Sequence, residues 1–232
     1  VGCSGREFAL RPRVRGNLTP RLREGDVIEI VAPASACSEE QLAHGCAVLE
    51  SWGFVPRVPD DLFGAASIVS HDDDTRFRLL RDAFRRTDSR AVWSVRGGYG
   101  SARLLPRLAR VSAWPLKPFI GFSDVTALHA HMNQVWGWPT WHGPVVSQLG
   151  GGIDGNVEAM CRAILVGECM SLEYPGLTPA NSSARRRRFV RARLTGGNLK
   201  TLQSLLGTPF EAKHGGTIVV LEDVNERGYA VD

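Results

Sequence analysis

A short apolar run, Phe119-Ile120-Gly121-Phe122, stops abruptly at Ser123, and a longer apolar stretch, Val125-Thr126-Ala127-Leu128-His129-Ala130-His131-Met132, begins just after it. The first suits a strand buried on both faces and the second a largely apolar helix. A chain carrying this passage has to turn sharply at Ser123. The turn exposes the serine hydroxyl beside the free amides of a helix N-terminus, the usual place for a nucleophilic serine. The G-x-S-x-G form of that turn has a second glycine where Val125 stands here, and a plain helix cap by Ser123 or Asp124 explains the local sequence equally well.

Upstream, Ala91 to Val95 reads as another strand and runs into Arg96-Gly97-Gly98-Tyr99-Gly100-Ser101. Three glycines in four positions let the backbone turn tightly and bring its amides close to a ligand. A serine elbow needs such a loop, because the oxyanion is held by the amide after the nucleophile and by one from a neighbouring loop. The glycine spacing fits neither G-x-G-x-x-G nor the P-loop pattern.

The same alternation extends through the chain. Val27 to Ala32 reads as a strand; Ser38-Glu39-Glu40-Gln41 has capping-box form and opens a helix to about Ser51. Asp72-Asp73-Asp74 starts a helix whose Arg76, Leu79, Leu80, Ala83 and Phe84 form a stripe at helical spacing. Helices over Ala102 to Leu108, Val125 to Val135 and Asn156 to Val166 complete the set. The predicted fold class is α/β, a mainly parallel sheet flanked by helices, with ligands beyond the carboxyl ends of its strands. Residues 1–20 read as an N-terminal extension, 21–172 as the α/β domain and 173–188 as a proline- and small-residue-rich linker. Residues 189–232, with segments Phe189 to Leu194, Gly197 to Leu206 and Thr217 to Leu221, read as the start of a smaller second domain.

Composition narrows the function. The 232 residues are 43% hydrophobic and 22% charged, ordinary for a packed enzyme. No apolar run approaches the length of a membrane span and no secretory signal is visible. Cys3, Cys37, Cys46, Cys161 and Cys169 lack C-x-x-C spacing, which argues against a disulfide framework or zinc site and points to a reducing cytoplasm. Much of the +4 net charge lies in Arg185-Arg186-Arg187-Arg188, Arg191 and Arg193. This run reads as a solvated linker rather than a nucleic-acid patch, because Trp136, Trp138 and Trp141 cluster elsewhere, as core or as a cleft wall.

Arg96-Gly97-Gly98-Tyr99-Gly100, Gly121-Phe122-Ser123-Asp124, His142-Gly143-Pro144, Gly196-Gly197-Asn198-Leu199 and Leu221-Glu222-Asp223 follow one another in the order found in LD-carboxypeptidases. The chain resembles that serine peptidase family from about Arg21 to its last residue. The resemblance implies that Ser123 is the nucleophile, that the Gly98 and Asp124 amides hold the oxyanion, and that Glu222 is the acid of a Ser-His-Glu triad. Glu222 is preferred to Asp223 and Glu226 because it matches the family position. Arg96 and Asn198 are candidate substrate contacts; Asn198 alternatively caps the helix after Gly197.

The family histidine lies well beyond the acid, and no position of this sequence matches it. His129 and His131 fall roughly 9 and 12 Å along a helix begun at Ser123, at about 1.5 Å per residue, too far to reach its hydroxyl. His142 belongs to a motif that forms a site wall in the family, and His44, His71 and His214 read as surface or satisfied core residues. Losing such a base costs about 10⁶ in rate in a serine protease. The chain is therefore expected to be the front portion of a longer protein and nearly inert alone.

The implied reaction is hydrolysis of the bond between an L-configured centre, usually of diaminopimelate, and the terminal D-alanine of a muropeptide tetrapeptide. It implies no metal and no organic cofactor, a muropeptide substrate, neither nucleic acid nor membrane as partner, and a cytoplasmic homodimer. Two alternatives stay open: a microcin-immunity-type hydrolase of peptidyl or aminoacyl nucleotides, and a non-catalytic muropeptide-binding fragment.

Overall fold

The computed structural model describes residues 21–65, 68–149, 152–169, 171–174, 176–186, 189–224 and 226–228. The expected extension 1–20 with Cys3, and Arg187 and Arg188 of the arginine run, lie outside the described residues.

The elements run β1 (Val27–Val31), α1 (Glu39–Ser51), β2 (Val55–Arg57), α2 (Asp73–Arg85), β3 (Ala91–Ser94), α3 (Leu105–Leu108), β4 (Phe119–Gly121), α4 (Thr126–Gln134), β5 (Trp141–His142), α5 (Gly155–Val166), α6 (Ser182–Arg186), β6 (Arg193–Asn198), α7 (Leu199–Leu205) and β7 (Thr217–Glu222). Strands β2-β1-β3-β4-β5 form one sheet in that order, every neighbouring pair parallel, and β6 pairs with β7, also parallel. The predicted α/β class and parallel sheet are what the structure shows.

The helix starts follow their sequence signals. Ser38 and Gln41 form the reciprocal capping box, each side chain accepting the other's amide, at 3.1 and 3.2 Å. Asp72 caps α2 by accepting the Thr75 amide at 2.9 Å and its hydroxyl at 2.8 Å, and these bonds hold its carboxyl well below the usual range.

Alternation along the central strands feeds two cores. Val92 and Phe119 face one side, where they pack with Leu80 and Phe84 of α2, Leu105 of α3 and Leu128 of α4. Ile30, Trp93 and Ile120, in register across three strands, face the other with Leu49 of α1 and Leu165 of α5. Trp136 and Trp138 join Trp114 and Phe84 in the first core, whereas Trp141 packs against the second. The tryptophan cluster is therefore split between the two faces of the sheet.

The two sheets meet at the start of α4. The Asn198 amide donates to the Thr126 hydroxyl at 2.9 Å, and a Cβ on Gly197 would lie 2.6 Å from that same oxygen. Only glycine lets β6 pass this close. At the far end of α4, Gln134 and Lys213 exchange two hydrogen bonds, at 2.9 and 2.7 Å. These contacts bring the carboxyl ends of β4, β6 and β7 to one end of the molecule.

Candidate active site

Ser123 follows β4 directly and has φ of 62°, the positive-φ conformation shown by no other non-glycine among the described residues. An L-residue held there costs about 1–2 kcal/mol, so the surrounding structure must over-determine the turn. It does so from three directions. Below, the ring of His129 on α4 bonds the Gly121 carbonyl at 2.8 Å. Beside it, Gly97 packs so closely that a Cβ there would sit 2.8 Å from the Ser123 Cβ. Ahead, a short 3-10 turn, Ser123–Val125, leads into α4. The passage read as one helix from Val125 is thus a 3-10 turn followed by an α-helix.

Asp124 ties this turn to the glycine loop. Its carboxylate accepts the Ser101 amide at 2.8 Å, and the Ser101 hydroxyl donates to its backbone carbonyl. Burial pushes the Asp124 carboxyl above its ordinary range. Asp124 was expected to serve through its amide; the structure gives its side chain a separate structural role. Gly98, φ of 91°, is exposed at the outer bend of the same loop.

Glu222 ends β7, directly opposite Asn198 in the β6–β7 register. Its carboxyl is raised by burial, and Oε1 has no hydrogen-bond partner among the described residues. Asn198 caps α7, its side-chain oxygen accepting the Thr201 amide and hydroxyl, both at 3.0 Å. Its side-chain amide reaches the Glu222 carbonyl at 3.4 Å. The capping role is therefore observed. Arg96 is exposed at the start of the glycine loop and donates to the Ala36 carbonyl at 3.2 Å.

The six histidines separate clearly. His129 is fully buried, its Nδ1 unpartnered, and burial pushes its pKa down to about 4. It is a backbone fastener. His131 stacks edge-on with Trp136. His71 pairs with Asp72, His44 is exposed on α1, and His214 accepts the Thr217 amide through its carbonyl. His142 is placed differently: its Nε2 lies 3.6 Å from Glu222 Oε1, and its ring meets Phe122 edge-on at 6.0 Å. Burial lowers its basicity. No sequence pattern signals this pairing, because 80 residues separate the partners and neither motif refers to the other. Among the described residues no histidine hydrogen-bonds the Ser123 hydroxyl, and no group of three or more His, Cys, Asp or Glu side chains is gathered as a metal site.

A strained serine, a glycine loop packed against it and an acid at the end of β7 thus lie at the carboxyl ends of their strands. Residues 28–143 match the LD-carboxypeptidase N-terminal domain and residues 191–232 the LD-carboxypeptidase C-terminal domain. The chain belongs to the LD-carboxypeptidase family. A putative carboxypeptidase of Rickettsia conorii is 36% identical over 211 residues, covering 88% of this chain and 65% of the relative. The murein tetrapeptide carboxypeptidase of Pseudomonas aeruginosa is 32% identical over 213 residues, covering 88% and 68%. This LD-carboxypeptidase chain thus spans about two thirds of the length of the curated relatives it matches. Among solved structures, the microcin C7 self immunity protein in its apo state superposes with a TM-score of 0.72 at 20% identity, covering 93% of this chain and 73% of that one. That likeness is one of fold.

Proposed function

We propose that this chain carries the nucleophile and acid of a serine carboxypeptidase that releases the terminal D-alanine of muropeptide tetrapeptides. The observation that carries this reading is the positive φ of Ser123 at the end of β4, with Gly97 packed against it. A strain of that kind is retained where a hydroxyl must project from a strand end. The Ser123 oxygen attacks the carbonyl of the scissile L,D bond, and the amides of Gly98 and Asp124 receive the oxyanion. Glu222 orients the imidazolium that forms when the base takes the serine proton. Arg96, exposed beside the glycine loop, is the candidate partner for the substrate carboxylates, and the Asn198 side chain bonds the backbone of the strand end that carries Glu222. The reading covers residues 21–172 as the nucleophile domain, 173–188 as a linker and 189–232 as the acid-bearing part, in a cytoplasmic homodimer.

No residue of this sequence matches the family histidine, so turnover by the chain is expected to be slow, about 10⁶ below that of a complete triad. Incubation with L-Ala-D-Glu-diaminopimelate-D-Ala at stoichiometric enzyme, read by mass spectrometry of free D-alanine, is expected to show release over hours. That release should vanish in Ser123→Ala. Equal release by the variant would remove Ser123 from the mechanism.

The fold likeness to a microcin self immunity protein favours a second reading, hydrolysis of a peptidyl or aminoacyl nucleotide. An aminoacyl sulfamoyl adenosine that binds more tightly than the tetrapeptide in calorimetry would favour it.

A further inference from the structure

The glycine loop is held from behind by a residue outside every motif described above. Ser35, in the turn that follows β1, makes three hydrogen bonds: its amide donates to the Gly97 carbonyl at 3.0 Å, its hydroxyl accepts the Tyr99 amide at 3.1 Å, and the same hydroxyl donates to the Ile68 carbonyl at 2.8 Å. The two loop bonds flank Gly98 on both sides. The Gly97–Gly98 peptide is planar and trans, so its carbonyl and its N–H point in opposite directions. With the Gly97 carbonyl turned toward Ser35, the Gly98 N–H is turned away from it.

Only glycine fits at this point of the loop, since a Cβ on Gly98 would lie 2.5 Å from the Ser35 hydroxyl. Arg76 closes the other end. Its fully buried guanidinium bonds the Gly100 carbonyl at 2.9 Å, the His71 carbonyl at 3.1 Å and the Pro33 carbonyl, and pairs with Asp73 at 2.5 Å. Pro33 and Ser35 belong to one turn, so Arg76 fixes Ser35 and the loop to each other.

We propose that Ser35 is a positioning residue for catalysis, its hydroxyl setting the direction and stiffness of the Gly98 amide, with Arg76 as its anchor. This rests on the reading of that amide as half of the oxyanion pocket. A donor that is rigid before the reaction stabilises developing charge without reorganising, and one that must first be ordered loses that advantage.

The test is the labelling of Ser123 by an alkyl fluorophosphonate, whose tetrahedral phosphoryl oxygen takes the oxyanion position, followed by intact-mass spectrometry. Ser35→Ala is expected to lower the limiting labelling rate about 10-fold while the concentration for half-maximal rate and the melting temperature hold; one whole oxyanion donor is worth about 10²–10³. Arg76→Lys, which keeps the charge but loses the fork, is expected to slow the same step. Unchanged rates in folded variants would overturn the inference and leave Ser123 as nucleophile. Because the base is not among these residues, labelling is followed over hours at high reagent; wild type that takes no label even then would overturn the nucleophile reading instead. Backbone ¹⁵N relaxation at Gly98 and Tyr99 then decides the clamp separately: unaltered order parameters in Ser35→Ala contradict it, and a local drop below about 0.6 supports it.

Discussion

The two strand ends that carry the candidate nucleophile and acid are enclosed to different degrees in this chain. β3 and β4, which lead to the glycine loop and Ser123, are buried along their whole length, with helices on both faces of their sheet. In β7, which ends in Glu222, Val219, Val220 and Leu221 are 41, 49 and 54% exposed, and its sheet has two strands among the described residues. The serine side is held by the bonds of His129, Asp124, Ser101 and Ser35, whereas the described links from the acid side to the first sheet are Asn198 to Thr126, the Gln134–Lys213 exchange and the contact of Glu222 with His142. An attacking oxygen and its oxyanion donors need fixed geometry, which the serine side has. The chain spans about two thirds of its relatives' length, so the exposure of β7 describes this chain and not a lesser demand on the acid.

This contrast makes the serine side the sensitive one. Trp93→Ala, in the fully buried centre of β3, is expected to cost about 3–5 kcal/mol of stability in denaturant titration. A comparable loss from Val220→Ala, on the half-exposed β7, would break the comparison; less than about 1 kcal/mol is expected there.

His129 gives the next largest effect. Its folded pKa, pushed to about 4, lies below the ordinary 6.5, so the unfolded chain takes up the proton first as pH falls. The His129 contribution is therefore complete above about pH 6.5 and is lost progressively down to about pH 4, by about 3 kcal/mol in all. His129→Gln should flatten the stability profile in that window while leaving the plateau above pH 7 lower by about the single hydrogen bond to Gly121, ~1 kcal/mol. A profile as steep as wild type would show that another group titrates there.

Gly97→Ala sharpens the comparison at the site itself. The added methyl meets the Ser123 Cβ at 2.8 Å in a buried, fastened turn, and labelling of Ser123 is expected to slow by at least about 10-fold with a smaller change in melting temperature. Phe122→Leu, which removes the edge-on contact with His142, is expected to have the smallest effect, under about 3-fold on labelling, because its ring makes none of the bonds that hold the Ser123 turn.

What the sequence made legible follows the same division. The strand, turn and helix around Ser123 could be read because a buried strand is a short apolar run and its end is marked by a change of period. The capping box at Ser38 and the acids at Asp72 needed only neighbours three residues away. β2 and β5, three and two residues long, left no periodicity to detect. The second sheet was harder: Phe189 to Leu194 looked like a segment of its own, yet the strand is Arg193–Asn198 and includes Gly196 and Gly197. Glycines weaken strand propensity, and they are tolerated here because a Cβ on Gly196 would lie 2.0 Å from the Val220 carbonyl. Ser35 and the His142–Glu222 contact escaped because the Ser35–Tyr99 bond and that contact each span more than 60 residues, where no local pattern reaches.

If Ser123 is held as a nucleophile, peptide mapping of the chain after exhaustive reaction with an alkyl fluorophosphonate should find one adduct, on Ser123, absent from Ser123→Ala. An adduct on Ser35 or Ser101 in its place, or equal labelling of the variant, would contradict that role.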